Sequence, residues 1–345
     1  MIYRITVTLL LSVILANAYS QSKSLETASE YMDYLSTQEN ELSKKYLSYM
    51  SEVAHGNRAR KSERKRQELI SEIKQSITMA NKLRPYKGDV ALRDAYKKYW
   101  DVLLKVFNED YAKIVNMEEI SEQSYDAMEA YLMAQEKAGE VLGLEHDKVR
   151  VAFKEFALNN NIRLVDTDSR MSKKLRQVGD VNSYYHQLYL IFFKSHKQEG
   201  YVTKAVNDKD INGIEQNRVT MLKFAEEGLL KLDTMRAFKG DGSVVTACRK
   251  VLQFHKSEAE KDITIQSEFV LKRSEFEKIQ KAFTAKPEGK RTQADVDNYN
   301  KAIDEYNASL TAVNKSSNAL NDGRAKVLDN WNTTVKRFME SHVPR

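Results

Sequence analysis

Residues 84–89 read RPYKGD and residues 236–241 read RAFKGD, a near repeat 152 residues apart in a chain with only 12 glycines and 3 prolines. Glycine is a residue that stops helices, so its use at the same place in both hexapeptides marks the same structural event twice. The run before the first copy, through Leu69, Ile70, Ile73, Ile77, Ala80 and Leu83, puts its apolar residues on one face of a helix. Pro85 disfavours further helix, Gly88 accepts a left-handed backbone at the helix end, and Asp89 accepts the free N–H groups of the next helix. Before the second copy, Met221, Leu222, Leu229 and Met235 hold the positions of Leu69, Ile70, Ile77 and Leu83, with Gly240 and Asp241 closing the motif. Arg218 likewise stands for Arg66, and Ala247 for Ala95, at the same offset.

Working outward, both ends of the chain carry the helical period. Met32, Leu35, Leu42, Tyr46 and Tyr49 follow steps of three, four and seven, and so do Tyr299, Ile303, Tyr306, Leu310 and Val313. No segment alternates as a strand does. FKEFALNNNI (153–162) and VKRFMESHV (335–343) match at an offset near 182, which places extra residues of the second half around the loop-like KPEGKR (286–291). The pattern predicts an all-α protein: two tandem antiparallel bundles of about four helices each, arising by internal duplication and elongated. The expected boundaries are 1–20 for an export signal, 21–165 for the first bundle, 166–177 for a polar connector and 178–345 for the second bundle.

The first twenty residues have the three parts of an export signal: Arg4, an apolar run from Ile5 to Leu15, and small residues from Ala16 to Ser20. Cleavage after Ser20 leaves Gln21 first, and cleavage after Ala18 leaves Tyr19 first; Ser20 is the preferred site. No cysteine lies near either point, so lipid attachment there is not expected. The one cysteine, Cys248, cannot close an intrachain disulfide, so the core must hold the fold. No later run is long and apolar enough to span a bilayer, so the mature chain is expected in the periplasm or at the cell surface without an anchor. The formal charge of +6, or +5 without Arg4, is a mild bias that does not suggest nucleic acid.

DVALRDAYKKYWDVL (89–103), followed by YDAMEAYLMAQEKAGEVLG (125–143) and AFKEFALNNNIRLV (152–165), resembles an uncharacterised family of all-helical bacterial surface and periplasmic proteins of Leptospira and Bacteroidota type. The resemblance covers residues 84–165 and implies location and architecture only, with no activity to carry over.

The search for chemistry returns little. No HExxH, CxxC or CxxCH occurs, and a Glu-x-x-His pair, two of which make a di-metal bundle, occurs once, at Glu52 and His55. Neither a metal, a cofactor nor a set of catalytic residues is expected. Glu145, His146 and Asp147 are adjacent on a helix and so point in different directions, which reads as a solvated turn. Cys248, four after Val244 and three before Val251, reads as a core residue. Tyr184, Tyr185, Tyr189, Phe192 and Phe193 read as packing, with a ligand pocket as the alternative. The basic run RARKSERKR, containing Arg58, Arg60, Lys61, Arg64, Lys65 and Arg66, opens a helix, where cations oppose the dipole. The second half, DINGIEQNR, keeps only the counterpart of Arg66. The run reads as a solvated turn, or as a patch for anionic lipid, acidic glycan or an acidic envelope protein. The expected function is an exported, non-enzymatic helical scaffold binding an envelope or surface macromolecule; the alternative is a bundle holding a small apolar or aromatic ligand.

Overall fold

The computed structural model describes residues 25–55, 59–110, 123–165 and 170–344. The expected export signal and Arg58 lie outside them. Nine α-helices are described: α1 (Ala28–His55), α2 (Ala59–Lys82), α3 (Ala91–Lys105), α4 (Tyr125–Asn159), α5 (Arg170–Asn207), α6 (Ile211–Thr234), α7 (Ser243–Ser257), α8 (Ile263–Ala285) and α9 (Gln293–His342). No strand occurs among the described residues. The protein is all-α, with neighbouring helices packed as bundles.

The 152-residue offset extends from sequence to geometry. Helices α2 and α6 are both 24 residues long, and α3 and α7 both 15. Each of the latter pair runs into a five-residue π-turn, Val106–Asp110 and Glu258–Asp262. A π-turn widens the helix and disturbs its carbonyl ladder, so a carbonyl needs an outside donor. Arg66 donates to the Phe107 carbonyl and Arg218 to the Ala259 carbonyl, each arginine being held by the glutamate three residues earlier, Glu63 or Glu215. Arg66 is therefore not the exposed cation expected of the basic run. It is 9% exposed and supports the fold.

The hexapeptides are turns rather than helix caps. Helix α2 has already ended at Lys82, and Tyr86 and Asp89 exchange two backbone hydrogen bonds across Lys87 and Gly88, whose φ angles are 50° and 86°. Phe238 and Asp241 do the same across Lys239 (51°) and Gly240 (90°). A two-residue turn with both φ positive is the tight hairpin form, and glycine takes the second position without strain. Since Ala237 replaces Pro85 and the helix ends at the same place, proline is not what stops it. Asp89 and Asp241 accept the N–H groups of Ala91 and Ser243, both at 2.8 Å, so the expected capping role holds at the first helical residue.

Equivalent aromatic triads close the turns onto the bundles. Tyr31 lies 5.7 Å from Tyr86 and 5.5 Å from Phe156; Tyr184 lies 5.2 Å from Phe238 and 5.8 Å from Phe338. One apolar core nevertheless runs through both halves, from Tyr31 and Trp100 to Leu188, Cys248 and Phe338, while a smaller cluster around Ile214, Met221 and Ile263 lies apart. Helix α5 begins at Arg170, inside the stretch expected to be a connector, because Met171 and Leu175 already pack on that core.

The extra length of the second half is a hairpin of α8 and the 50-residue α9, which spans about 75 Å. Its loop ends in a capping box of Thr292 and Asp295. Along its arms Phe283 stacks on Tyr299 at 4.3 Å and Phe276 on Tyr306 at 4.9 Å.

Candidate functional site

The residues singled out by sequence are dispersed. In the basic run, Lys61 pairs with Glu52 at 2.7 Å and Lys65 with Glu68 at 3.0 Å; Arg64 lies 3.8 Å from Glu68. Lys61 and Lys65 also line a recess of about 480 Å³ with Lys44 and Lys174. Glu52 is thus engaged by a lysine, and the side chain of His55 lies outside the described ones. Glu145 pairs with Lys148 at 2.6 Å, and Asp147 lies 3.5 Å from Arg150. His146, however, is not solvated as expected: it packs on the Tyr99 ring at 5.5 Å, and burial lowers its pKa. Cys248 is fully buried, and burial pushes its thiol up to about 12, as suits an inert core residue. Of the aromatic cluster, Phe192 and Phe193 are buried, and Tyr184 lines a groove of about 840 Å³ with Tyr125, Phe224 and Phe238. In that groove Lys194 lies 4.3 Å over the Phe224 ring and 3.6 Å from Glu227.

A polar centre that no expectation included lies in the second half. His196 and Glu199 are three apart on α5; His255 is near the end of α7, and Glu258 opens the π-turn. Two His-x-x-Glu pairs, HKQE (196–199) and HKSE (255–258), carry it. The di-metal bundle motif has the reverse order, Glu-x-x-His. Apolar neighbours force these groups inward: Phe192 and Phe193 precede the first pair, and Val251 and Leu252 the second, all buried. Glu199 is 4% exposed, Glu258 2% and His255 0%, while the His196 side chain keeps 36% of its surface.

Arg324 of α9 ties the carboxylates together. It donates through Nε to Glu199 Oε1 and through Nη2 to Glu258 Oε1, the latter at 2.7 Å. The second oxygen of Glu199, Oε2, lies 3.3 Å from His255 Nε2 and 3.4 Å from His196 Nδ1. Neither contact is aligned as a hydrogen bond, so His255 Nε2 and His196 Nδ1 are buried without a hydrogen-bond partner, and so is Glu258 Oε2. Such groups are rare and costly, each worth about 1–3 kcal/mol. Ser195 Oγ sits 2.9 Å from His255 Nδ1 and 3.4 Å from the Phe192 carbonyl. A hydroxyl has one proton; given to the carbonyl, it leaves Oγ to accept from Nδ1–H and leaves Nε2 bare.

The electrostatics separate the two acids. Burial opposes ionisation of Glu199, but the facing His196 and His255 rings and the Arg324 guanidinium outweigh it and hold its pKa well below the carboxylate range. Burial, with the neighbouring Glu199 charge, raises Glu258 to about 8 against the pull of Arg324. Ligand-type atoms of His196, Glu199 and His255 all lie within 4.8 Å of one another, so these three can share one cation. At the same offset the first half has Leu103 for His255 and Val106 for Glu258, both buried.

Compared with protein-family models, with curated proteins and with solved structures, the chain matches none. Among the described residues, no helix is long and apolar enough to cross a membrane.

Proposed function

We propose that this is an exported, non-enzymatic helical binding protein of the bacterial envelope, built by duplication of one helical unit, whose ligand site is the buried His–Glu centre between α5, α7 and α9. One observation carries the reading: three buried polar atoms on three elements lack partners at one centre beside an apolar core. A protein interior tolerates that arrangement when a bound group supplies the missing interactions. The duplication is supported by the matched turns, π-turns and arginines at one offset. Export is supported by the leader-like first twenty residues. The test is native mass spectrometry of the full chain released from the periplasm of an expressing bacterium. The expected result is a mature chain starting at Gln21 or Tyr19 with a non-covalent adduct that is absent from H255L/E258V. A retained Met1 overturns the export; a chain with no adduct overturns the binding reading.

The groove beside Tyr184 supports a second reading, a small aromatic ligand held against Tyr125 and Phe224 with Lys194 at its edge. An adduct that survives in H255L/E258V and is lost in Phe224→Ala favours it.

A further inference from the structure

We propose that the ligand of the His–Glu centre is a single divalent transition-metal ion, held by His196 Nδ1, His255 Nε2 and Glu199 Oε2. The proposal rests on reading the centre as a ligand site, and it names the ligand.

The first argument is a conflict between acceptors. In the tautomer that gives Nδ1–H of His255 to Ser195, its Nε2 presents a lone pair to the lone pairs of Glu199 Oε2 at 3.3 Å. His196 Nδ1 faces the same oxygen at 3.4 Å. Two acceptors at that distance require a cation between them, either a proton or a metal ion. A proton satisfies one pair at a time, so relieving both histidine nitrogens takes two protons and leaves poor angles. One metal ion engages both nitrogens and Glu199 Oε2 together.

The second argument is distance. Metal–nitrogen and metal–oxygen bonds in tetrahedral sites are about 2.0–2.2 Å, which places neighbouring donor atoms about 3.4 Å apart along the edges of the tetrahedron. The two contacts at 3.3 and 3.4 Å have that spacing, which is long for a charge-assisted hydrogen bond of about 2.7–2.9 Å.

The third argument is the surrounding shell. Metal sites orient their ligands with outer hydrogen bonds. Arg324 takes Oε1 of both glutamates and leaves Oε2 of each for another partner, and Ser195 fixes the far nitrogen of His255. Ser316 of α9 donates to Asp262 at 2.6 Å and pins the π-turn that carries Glu258. The donor set then chooses the ion. Imidazole with carboxylate, and no thiolate, suits Zn²⁺, Fe²⁺, Mn²⁺ or Co²⁺, whereas Ca²⁺ and Mg²⁺ favour oxygen alone and Cu⁺ favours sulfur. The exposed edge of His196 is the side from which an ion can enter.

The experiment uses the full mature chain, stripped with a chelator and titrated calorimetrically with Zn²⁺ and Co²⁺, with Mg²⁺ and Ca²⁺ as controls. The expected result is one Zn²⁺ or Co²⁺ per chain, proton release on binding, and a visible Co²⁺ band of tetrahedral type. H255L/E258V, which carries the first-half residues, should lose the site. Because that variant changes the core, the half-exposed His196→Ala is made beside it and should weaken Zn²⁺ by at least about 100-fold, beyond the 10–100-fold of an outer-shell change such as Arg324→Met. No Zn²⁺ or Co²⁺ binding by wild type overturns the proposal. So does equal binding by wild type and His196→Ala, which means adventitious surface sites, and so does Mg²⁺ or Ca²⁺ binding as tightly as Zn²⁺. An adduct of organic mass on a metal-free chain sinks this inference while leaving the binding-site reading standing.

Discussion

The two halves share a frame and differ in what it encloses. In both, an arginine reaches a π-turn carbonyl, a two-residue turn joins a 24-residue helix to a 15-residue one, and a tyrosine meets two rings. At one position of that frame the first half buries Leu103 and Val106 and the second buries His255 and Glu258. None of the framing residues belongs to the polar centre. The fold is therefore specified without the centre, and the apolar version shows what the frame needs for stability alone. Each half also treats a shielded acid in its own way. The half-buried Glu39 of the first accepts from Trp100 Nε1 at 2.9 Å, while the buried Glu199 and Glu258 of the second share Arg324.

The harshest way to break the comparison is to install the second-half pair in the first half. L103H/V106E puts two polar groups at buried apolar positions, and should cost more than about 4 kcal/mol in denaturant unfolding. A loss under about 1 kcal/mol means the first half already holds a latent centre, and the contrast fails. Next comes the half-buried acid of the first half. Burial raises Glu39 to about 7 from its ordinary 4.5, although Trp100 and Tyr99 pull it down. An acid whose folded pKa is raised binds its proton more tightly when folded, so stability is full below about pH 4.5 and falls as pH rises to about 7. Glu39→Gln should therefore match wild type at pH 4 and exceed it at pH 8, by at most about 3 kcal/mol. Equal stability at both pH values removes the contrast with Glu199.

Two smaller tests sharpen the likeness. Arg66→Leu and Arg218→Leu each leave a π-turn carbonyl without its charged donor, and should cost about 2 kcal/mol apiece. Gly88→Ala and Gly240→Ala should each cost about 1–2 kcal/mol, all of it backbone strain, since a Cβ there meets nothing within 4 Å. Unequal losses within either pair would show that the matched geometry hides different local energetics.

The frame was legible in the sequence because its signals are local. Apolar steps of three and four gave the helices, a scarce Lys-Gly-Asp used twice gave the helix boundaries without their turn geometry, and the match of Arg66 with Arg218 gave the repeat without the π-turns they serve. The centre was less legible for two physical reasons. Its parts are far apart, Glu199 and Arg324 being 125 residues from each other, so no window contains both. Its residues are also ones that read as surface on a helix, and their burial follows from the third helix, α9, closing over them. The two His-x-x-Glu pairs were the available signal; a search for pairs in either order finds them. Arg66 was misread as exposed because a run of cations hides the single member turned inward.

The α8–α9 hairpin behaves as a ruler graduated in sevens. Phe276 and Phe283 on one arm, and Tyr299 and Tyr306 on the other, are each a heptad apart, and their stacks are its rungs. Seven residues return a helix face to within about 20° of its starting direction. Excising 277–283 together with 299–305 brings Phe276 and Tyr306 up to the same loop, so the hairpin should shorten by about 10 Å with its register intact. Excising five from each arm turns the rungs about 140° away from each other and should unzip it. Its length can thus change by whole graduations without the rest of the bundle having to respond.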